Sequence, residues 1–576
     1  MNKTTLPLFA LALLPAGMAA RDGVRTLPTS GARPNVLVIM TDDVGYGDFS
    51  CYGANRVKTP NIDRLAANGT RFTDAHACAS TSTPSRYGFL TGEYPFRRPG
   101  TDVAAGNAAM VIRPEQFTLA EMFKEAGYAT AAIGKWHLGL GSRTAQQDWN
   151  GQIDLTPAAL GFEYSCIMAA TADRVPCVYI ENGRVRNYDP SAPIEVNYRG
   201  NFAGEPTGKT HPELLRLRPS HGHDMSIVNG ISRIGYMKGG GNALWKDENI
   251  ADSIVSYALN WIDASQAPTA DGAKRPFFMY LCTNDVHVPR WPHERFRGKS
   301  PMGLRGEAIL QLDWTVGRVL DHLRELGIAD NTLVILTSDN GPVLDDGYAD
   351  QAEELAGTHR PGGHWRGGKY SAFEAGSAVP FIVSWPAGGV PRGRESKALV
   401  SLIDGVRSLA PIAGVALHDT LACDSRDFSN TWLGRTDRSR DYILSMSYNR
   451  EVSLRTPKWK YIPAMKGPDR VPWGPKIETG FSSQPQLYEM SGRKGETKNV
   501  IEHRPQVAKE LDLILQHQLA TPYFRRKAKL LLSGKLQNAT NSLSAMPINR
   551  RCGLLFGKVS PPFRLSFIGC PLKREN

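Results

Sequence analysis

Four times along this chain a continuous apolar run of strand length gives way to a cluster of polar side chains. PNVLVIMT (34–41) leads into TDDVGYGD, and ATAAIG (129–134) into a loop with Lys135 and His137. The run in KRPFFMYLCTNDVHVP (274–289) ends in Asn284, Asp285 and His287, and TLVILT (332–337) ends in Asp339 and Asn340. Unbroken apolar strands belong to parallel sheets covered on both faces. Helical patterns precede two of them, TLAEMFKEAGY and GRVLDHLRELGIADN. The alternation predicts an α/β domain with a large, mostly parallel sheet flanked by helices. Open sheets of this class keep their sites at the carboxyl ends of the strands. If the four strands lie side by side, Asp42, Asp43, Lys135, His137, His287, Asp339 and Asn340 converge on one edge. Beyond about residue 430 short strands with turns precede a helical stretch, PQVAKELDLILQHQL, which predicts a small antiparallel sheet with one packed helix. The Gly- and Pro-rich stretch 142–250, with PSHGHD at 219–224, reads as an insertion that walls the site.

At 576 residues the chain exceeds one ordinary core. The predicted organisation is a signal peptide at 1–20, a catalytic domain at 33–430, an α+β subdomain at 431–524 and a basic tail at 525–576. The N-terminus, MNKTTLPLFALALLPAGMAARDG, has one Lys, a short apolar run and small residues before Arg21, the pattern of a secretory signal. The expectation is export to the periplasm or medium. Past that point no apolar run reaches the ~18 residues of a spanning helix, so no integral membrane segment is expected. The net charge of +12 is not a nucleic-acid footprint. From Arg525 onward eleven Lys or Arg face a single acid, a net of +10, which leaves about +2 for the body. A poorly ordered extension is the expected form of that tail. Eight cysteines lie far apart without a CxxC pair, and Cys166 and Cys177 are close enough to close a short loop in an exported chain.

Asp42, Asp43, Asp339 and Asn340 offer only hard oxygen donors, the set that suits Ca²⁺ or Mg²⁺ and not zinc. Either pair alone would be turn or capping chemistry; after two apolar strands, metal binding is the stronger expectation. Lys135, His137, His287 and Lys369, on separate loops, add donors for an oxyanion such as sulfate or phosphate. A sugar alkoxide leaves poorly, so a His acid is expected near the bridging oxygen. STSTPSRYGFLTG (80–92) sets Ser82 two residues ahead of Pro84 at a helix start, where free N–H groups favour anions. Arg86, one turn on, can hold an oxygen of residue 82 or of a substrate.

Ser82-Thr83-Pro84-Ser85-Arg86 followed by YGFLTG resembles the sulfatase signature. PNVLVIMTDDVGYGDFSCYG, TPNIDRLAANGTRFTDAH, GYATAAIGKWHLG, LVILTSDNG and RGGKYSAFEAG resemble that family's blocks in its order, over about residues 34–520. The form is that of the serine-type, formylglycine-dependent bacterial sulfatases, with an alkaline-phosphatase-like fold. The resemblance implies that Ser82 is oxidised to Cα-formylglycine by an anaerobic-type maturing enzyme and that its hydrate attacks sulfur. It implies one Ca²⁺ bound by Asp42, Asp43, Ser82, Asp339 and Asn340. Arg86 and Lys135 would support the formylglycine, with His137 close by, while His287 and Lys369 would contact sulfate, His287 donating the proton to the leaving oxygen. In many relatives Glu374 opens E-G-G-x-R-V-P, whereas here Ala378 replaces the arginine, which predicts altered packing or a lost salt bridge. A sulfated galactose or N-acetylgalactosamine is the expected substrate, with His221, His223, Asp224, Arg290 and Trp291 as sugar contacts. Two alternatives remain at this stage. One is a phosphomonoester or phosphonate hydrolase, which the lack of a visible second His/Asp cluster disfavours; the other is a glycan-binding relative with unmodified Ser82.

Overall fold

The computed structural model describes residues 24–26 and 33–520, apart from 145, 270, 271, 273 and 492–494. The expected signal peptide and basic tail, with Cys552 and Cys570, lie outside the described residues. Ten strands form the main sheet: β1 (Asn35–Thr41), β2 (Thr70–Phe72), β3 (Ala129–Lys135), β4 (Tyr164–Met168), β5 (Tyr179–Glu181), β6 (Arg184–Val185), β7 (Phe277–Cys282), β8 (Thr332–Ser338), β9 (Phe381–Ser384) and β10 (Arg394–Ser396). Their order is β10-β2-β9-β8-β1-β7-β3-β4-β5-β6. The four apolar runs are β8, β1, β7 and β3, neighbours in the sheet and parallel throughout. Ser338 pairs with Thr41, and Cys282 with both Met40 and Gly134, so their carboxyl ends finish flush. β8 and β7 are buried at every position, as strands covered on both faces must be.

Helices α3 (Ile250–Ser265) and α4 (Gly303–Glu325) pack on one another, and α1 (Ser82–Thr91) packs with α2 (Leu119–Glu125). Segment 142–250 is less of an insertion than its composition suggests, because β4, β5 and β6 within it extend the main sheet. Cys166 and Cys177 are both free thiols: Cys166 is held in β4, and Cys177 lies in the loop before β5 with its Sγ near the Arg174 carbonyl.

The region beyond 430 forms a four-stranded antiparallel sheet, β11 (Ile443–Met446), β12 (Val452–Arg455), β13 (Trp459–Ile462) and β14 (Gln486–Glu489), with helix α5 (Pro505–Ala520) packed on it. Its apolar face shares a core with Cys78, Ala79 and Ile403 of the larger sheet's connections. Among the described residues no helix is long and apolar enough to cross a membrane.

Glu374 does not lack a cation despite Ala378. Lys460 Nζ reaches its Oε1 at 2.7 Å and Arg455 Nε its Oε2 at 3.1 Å, both from the small sheet. Glu374, Asp74 and His76 form a second His/carboxylate cluster that the sequence did not reveal. Arg455 also takes Asp74 at 3.0 Å, so this cluster is an ion network already supplied with cations.

Candidate active site

Each strand end delivers its side chains to one point because the registers are flush. Asp42 and Asp43 follow β1, Lys135 closes β3, Asp339 and Asn340 follow β8, and Ser82 opens α1. All are buried, Ser82 with 3% of its surface exposed. All ten residues of α1 are buried. Ser82 Oγ accepts from Lys135 Nζ at 2.7 Å and lies 3.3 Å from Asn340 Oδ1. The same ammonium reaches Asp42 at 2.5 Å and Asp339 at 3.3 Å. Arg86 is committed to Asp339 at 2.8–2.9 Å and to the Lys135 carbonyl at 3.3 Å, and so braces a carboxylate instead of residue 82.

Three carboxylates in one buried spot demand positive charge. Burial pushes the Asp42 carboxyl up to about 8, with Lys135 opposing and Asp339 and Asp43 adding to the rise. Asp339 goes the other way: burial opposes ionisation, but Lys135 and Arg86 hold it well below the usual carboxylate range. Asp42 Oδ2 is buried without a hydrogen-bond partner, while Asn340 Nδ2 donates to Asp43 Oδ1 at 2.8 Å. Ligand atoms of Asp42, Asp43 and His287 lie within 4.8 Å of one another. An orphaned carboxylate oxygen among hard oxygen donors fits a divalent cation such as Ca²⁺.

Lys369 bridges Asp43 and Asp346, 2.8 Å from each, and these two carboxylates outweigh burial to keep the ammonium charged. His287 Nδ1 donates to the Val288 carbonyl at 2.7 Å, which leaves Nε2 turned toward Lys369 Nζ at 3.5 Å. Burial, and after it Lys369, hold the imidazole well below its ordinary pKa. His137 Nε2 bonds the Ala104 carbonyl at 2.9 Å, its Nδ1 is buried and unpartnered, and burial lowers its pKa. Asp43, His137 and Tyr370 have φ of 56°, 55° and 78°. Such left-handed backbone costs about 1–3 kcal/mol per residue and collects at functional sites.

A cavity of about 180 Å³ opens onto this cluster, walled by Ser82, His137, His287 and Lys369. His221 and His223 also line it; His223 Nε2 meets Asp173 Oδ2 at 3.0 Å. The other three expected sugar contacts lie elsewhere. Arg290 is fully buried, spending its donors on Asp350 and the carbonyls of Val286, Val343 and Leu344. Trp291 has the guanidinium groups of Arg216 and Arg297 over its ring at 5.0 and 4.1 Å, and Asp224 accepts the Lys209 N–H at its backbone carbonyl. Sequence reasoning missed Asp173, Arg174, Asp346, Tyr370 and Trp473 on the wall. Asp346 could have been suspected, because the loop after β8 is the one that carries Asp339.

Comparison with known proteins adds a family model described as Sulfatase, which matches residues 34–415. The chain is 49% identical over 484 residues to N-acetylgalactosamine-6-O-sulfatase of Bacteroides thetaiotaomicron, covering 84% of this chain and 93% of that protein. It is 32% identical to steryl-sulfatase of Rattus norvegicus over 72% of this chain and 73% of that one. A solved structure from work on glycosaminoglycan metabolism by Bacteroides thetaiotaomicron superposes with a TM-score of 0.82 at 48% identity, covering 85% of this chain and 100% of that chain.

Proposed function

This chain belongs to the sulfatase family, and from that premise we propose that it hydrolyses a sulfate ester of a galactose-type sugar through a formylglycine hydrate at residue 82 beside one Ca²⁺. The observation that carries the reading is Ser82 Oγ, held by Lys135 at the mouth of a buried helix beside three carboxylates, one with an orphaned oxygen. Asp42, Asp43, Asp339, Asn340 and residue 82 would hold the ion, which when bound offsets the negative charge of the sulfate oxygens. A formylglycine hydrate at residue 82 would supply the nucleophilic oxygen and a hydroxyl whose loss of a proton would release sulfate.

This chain's own residues do the rest. Lys135 orients the oxygen on residue 82, and Arg86 fixes Asp339 beneath it. Lys369, kept charged by Asp43 and Asp346, draws the sulfate into the cavity and stabilises the charge that builds in transfer. His287 presents Nε2 to the cavity because Nδ1 is tied to the Val288 carbonyl; once the sulfate charge is present, that nitrogen carries the proton for the leaving sugar oxygen. His137, joined to α1 through Thr83 Oγ1 on its carbonyl at 2.8 Å, shapes the wall. His221 and His223 contact the sugar. The relative's own substrate, named as an N-acetylgalactosamine with sulfate on O6, supports that sugar as the first to test. Export and an anaerobic-type maturing enzyme complete the reading.

Mass spectrometry of the peptide spanning residue 82, from protein made with such a maturing enzyme, should show a loss of two hydrogens relative to serine. Release of sulfate from 6-O-sulfated N-acetylgalactosamine, abolished in Ser82→Ala, is the expected activity. Turnover of phosphate or phosphonate esters in place of sulfated sugars would overturn the proposal.

A further inference from the structure

We propose that Trp473, supplied by the small C-terminal sheet, is the platform on which the sugar ring of the substrate stacks. The inference rests on reading the cavity as a sugar-sulfate site.

The two strands β13 and β14 are adjacent and antiparallel, yet residues 463–485 between them make a long excursion instead of a tight turn. The tip of that excursion is closed by the Val471 N–H to the Ile477 carbonyl at 3.0 Å and by a bridge between Arg470 and Glu478. It carries Trp473 onto the same wall as Ser82, His287 and Lys369. Trp473 is 41% exposed there, although a tryptophan is normally among the more buried side chains.

The indole is nevertheless held in one orientation. Tyr370 meets it at 5.1 Å and 85°, and Tyr448 at 5.0 Å and 84°, two edge-to-face contacts that fix the ring plane. Both tyrosines are themselves anchored: Tyr370 Oη donates to Asp346 Oδ1 at 2.9 Å, and Tyr448 stacks on Phe481 at 5.5 Å. The next residue, Gly474, has φ +145°, and a Cβ there would fall 2.3 Å from the His221 ring. Only glycine allows the loop to press so closely on the PSHGHD segment, which sets the indole and His221 side by side at the rim.

A rigidly held indole, 41% exposed beside a charged, carboxylate-rich pocket, matches a pyranose. Such a sugar offers hydroxyls on its edges and, in the galactose series, a continuous patch of C–H groups on one face. Those hydrogens carry slight positive charge and suit the electron-rich face of an indole. The sulfate would occupy the inner end by Lys369 and His287, while the ring lies against Trp473.

The test uses the mature enzyme, a panel of 4-O- and 6-O-sulfated galactose and N-acetylgalactosamine, and inorganic sulfate as a competitive probe. On the best substrate, Trp473→Ala should raise KM about tenfold while kcat stays within about threefold. The inhibition constant of inorganic sulfate should not change, and Trp473→Phe should restore KM to within about threefold of the parent. Two results overturn the proposal: a KM unchanged in Trp473→Ala, or a sulfate inhibition constant that rises in step with KM. The second would mean that Trp473 acts only by propping Tyr370 and Lys369. A parent enzyme inert toward every sulfated sugar but active on phosphate esters would overturn the functional reading itself, and this proposal with it.

Discussion

Lys369 illustrates how much one side chain balances in this site. Its ammonium lies between Asp43 and Asp346 while also facing the cavity, so its charge would serve both the fold and the proposed sulfate. Lys369→Ala should therefore lower kcat by about 10²–10³-fold, the usual effect of removing one preorganised group that stabilises transition-state charge. Steady-state kinetics checks the loss, and a parallel denaturation curve should show destabilisation, because two carboxylates are left facing each other. At this scale the sequence was informative wherever a polar residue closed an apolar strand, since strand direction then dictates where it points. It was silent for Asp173, Arg174 and Trp473, which sit in loops without periodicity. Arg290 misled for the opposite reason. An arginine three residues past His287 looks available, and only the packed structure shows Asp350 and three carbonyls consuming it.

Strand β3 ends in Gly134 and Lys135, and the glycine is what lets the lysine arrive where it does. Gly134 has φ +91°, and a Cβ there would sit 1.9 Å from the Cys282 carbonyl oxygen of the neighbouring β7. Gly134→Ala should destabilise the protein by about 2–4 kcal/mol through the clash and the strained backbone. It should also depress activity by displacing Lys135, and a urea midpoint measured beside sulfate release tests both at once. The four central strands were readable because unbroken apolar runs of this length, with helical patterns between them, have few other uses. β4, β5 and β6 were not, because short strands in a Gly- and Pro-rich stretch carry almost no pattern.

Across the whole molecule, the small sheet and the large one are joined by a buried cluster of charge. Burial, and then the neighbouring Glu374, push the Glu496 carboxyl up to about 8; it accepts the Glu374 backbone N–H at 2.9 Å. Burial opposes ionisation of Glu374 as well, but Lys460, His76 and Arg455 hold it down to about 2. The signs differ. Glu496, raised above its ordinary 4.5, stabilises fully below that pH and loses its contribution as pH climbs toward 8. Glu374 loses its contribution only as pH falls from about 4.5 toward 2. Glu496→Gln cannot titrate, so the parent's Tm should fall steadily relative to that of this variant from pH 5 to pH 8; a difference independent of pH would refute the assignment. The small sheet itself was legible from its short strands and terminal helix, whereas its grip on the loop that carries Lys369 depends on pairings far apart in sequence. One last consequence concerns timing. Ser82 is only 3% exposed and is reached only through the cavity it lines, so an enzyme that modified it would work more readily on chain not yet folded. If residue 82 is converted as proposed, the order of synthesis, modification and folding would then decide how many molecules become active.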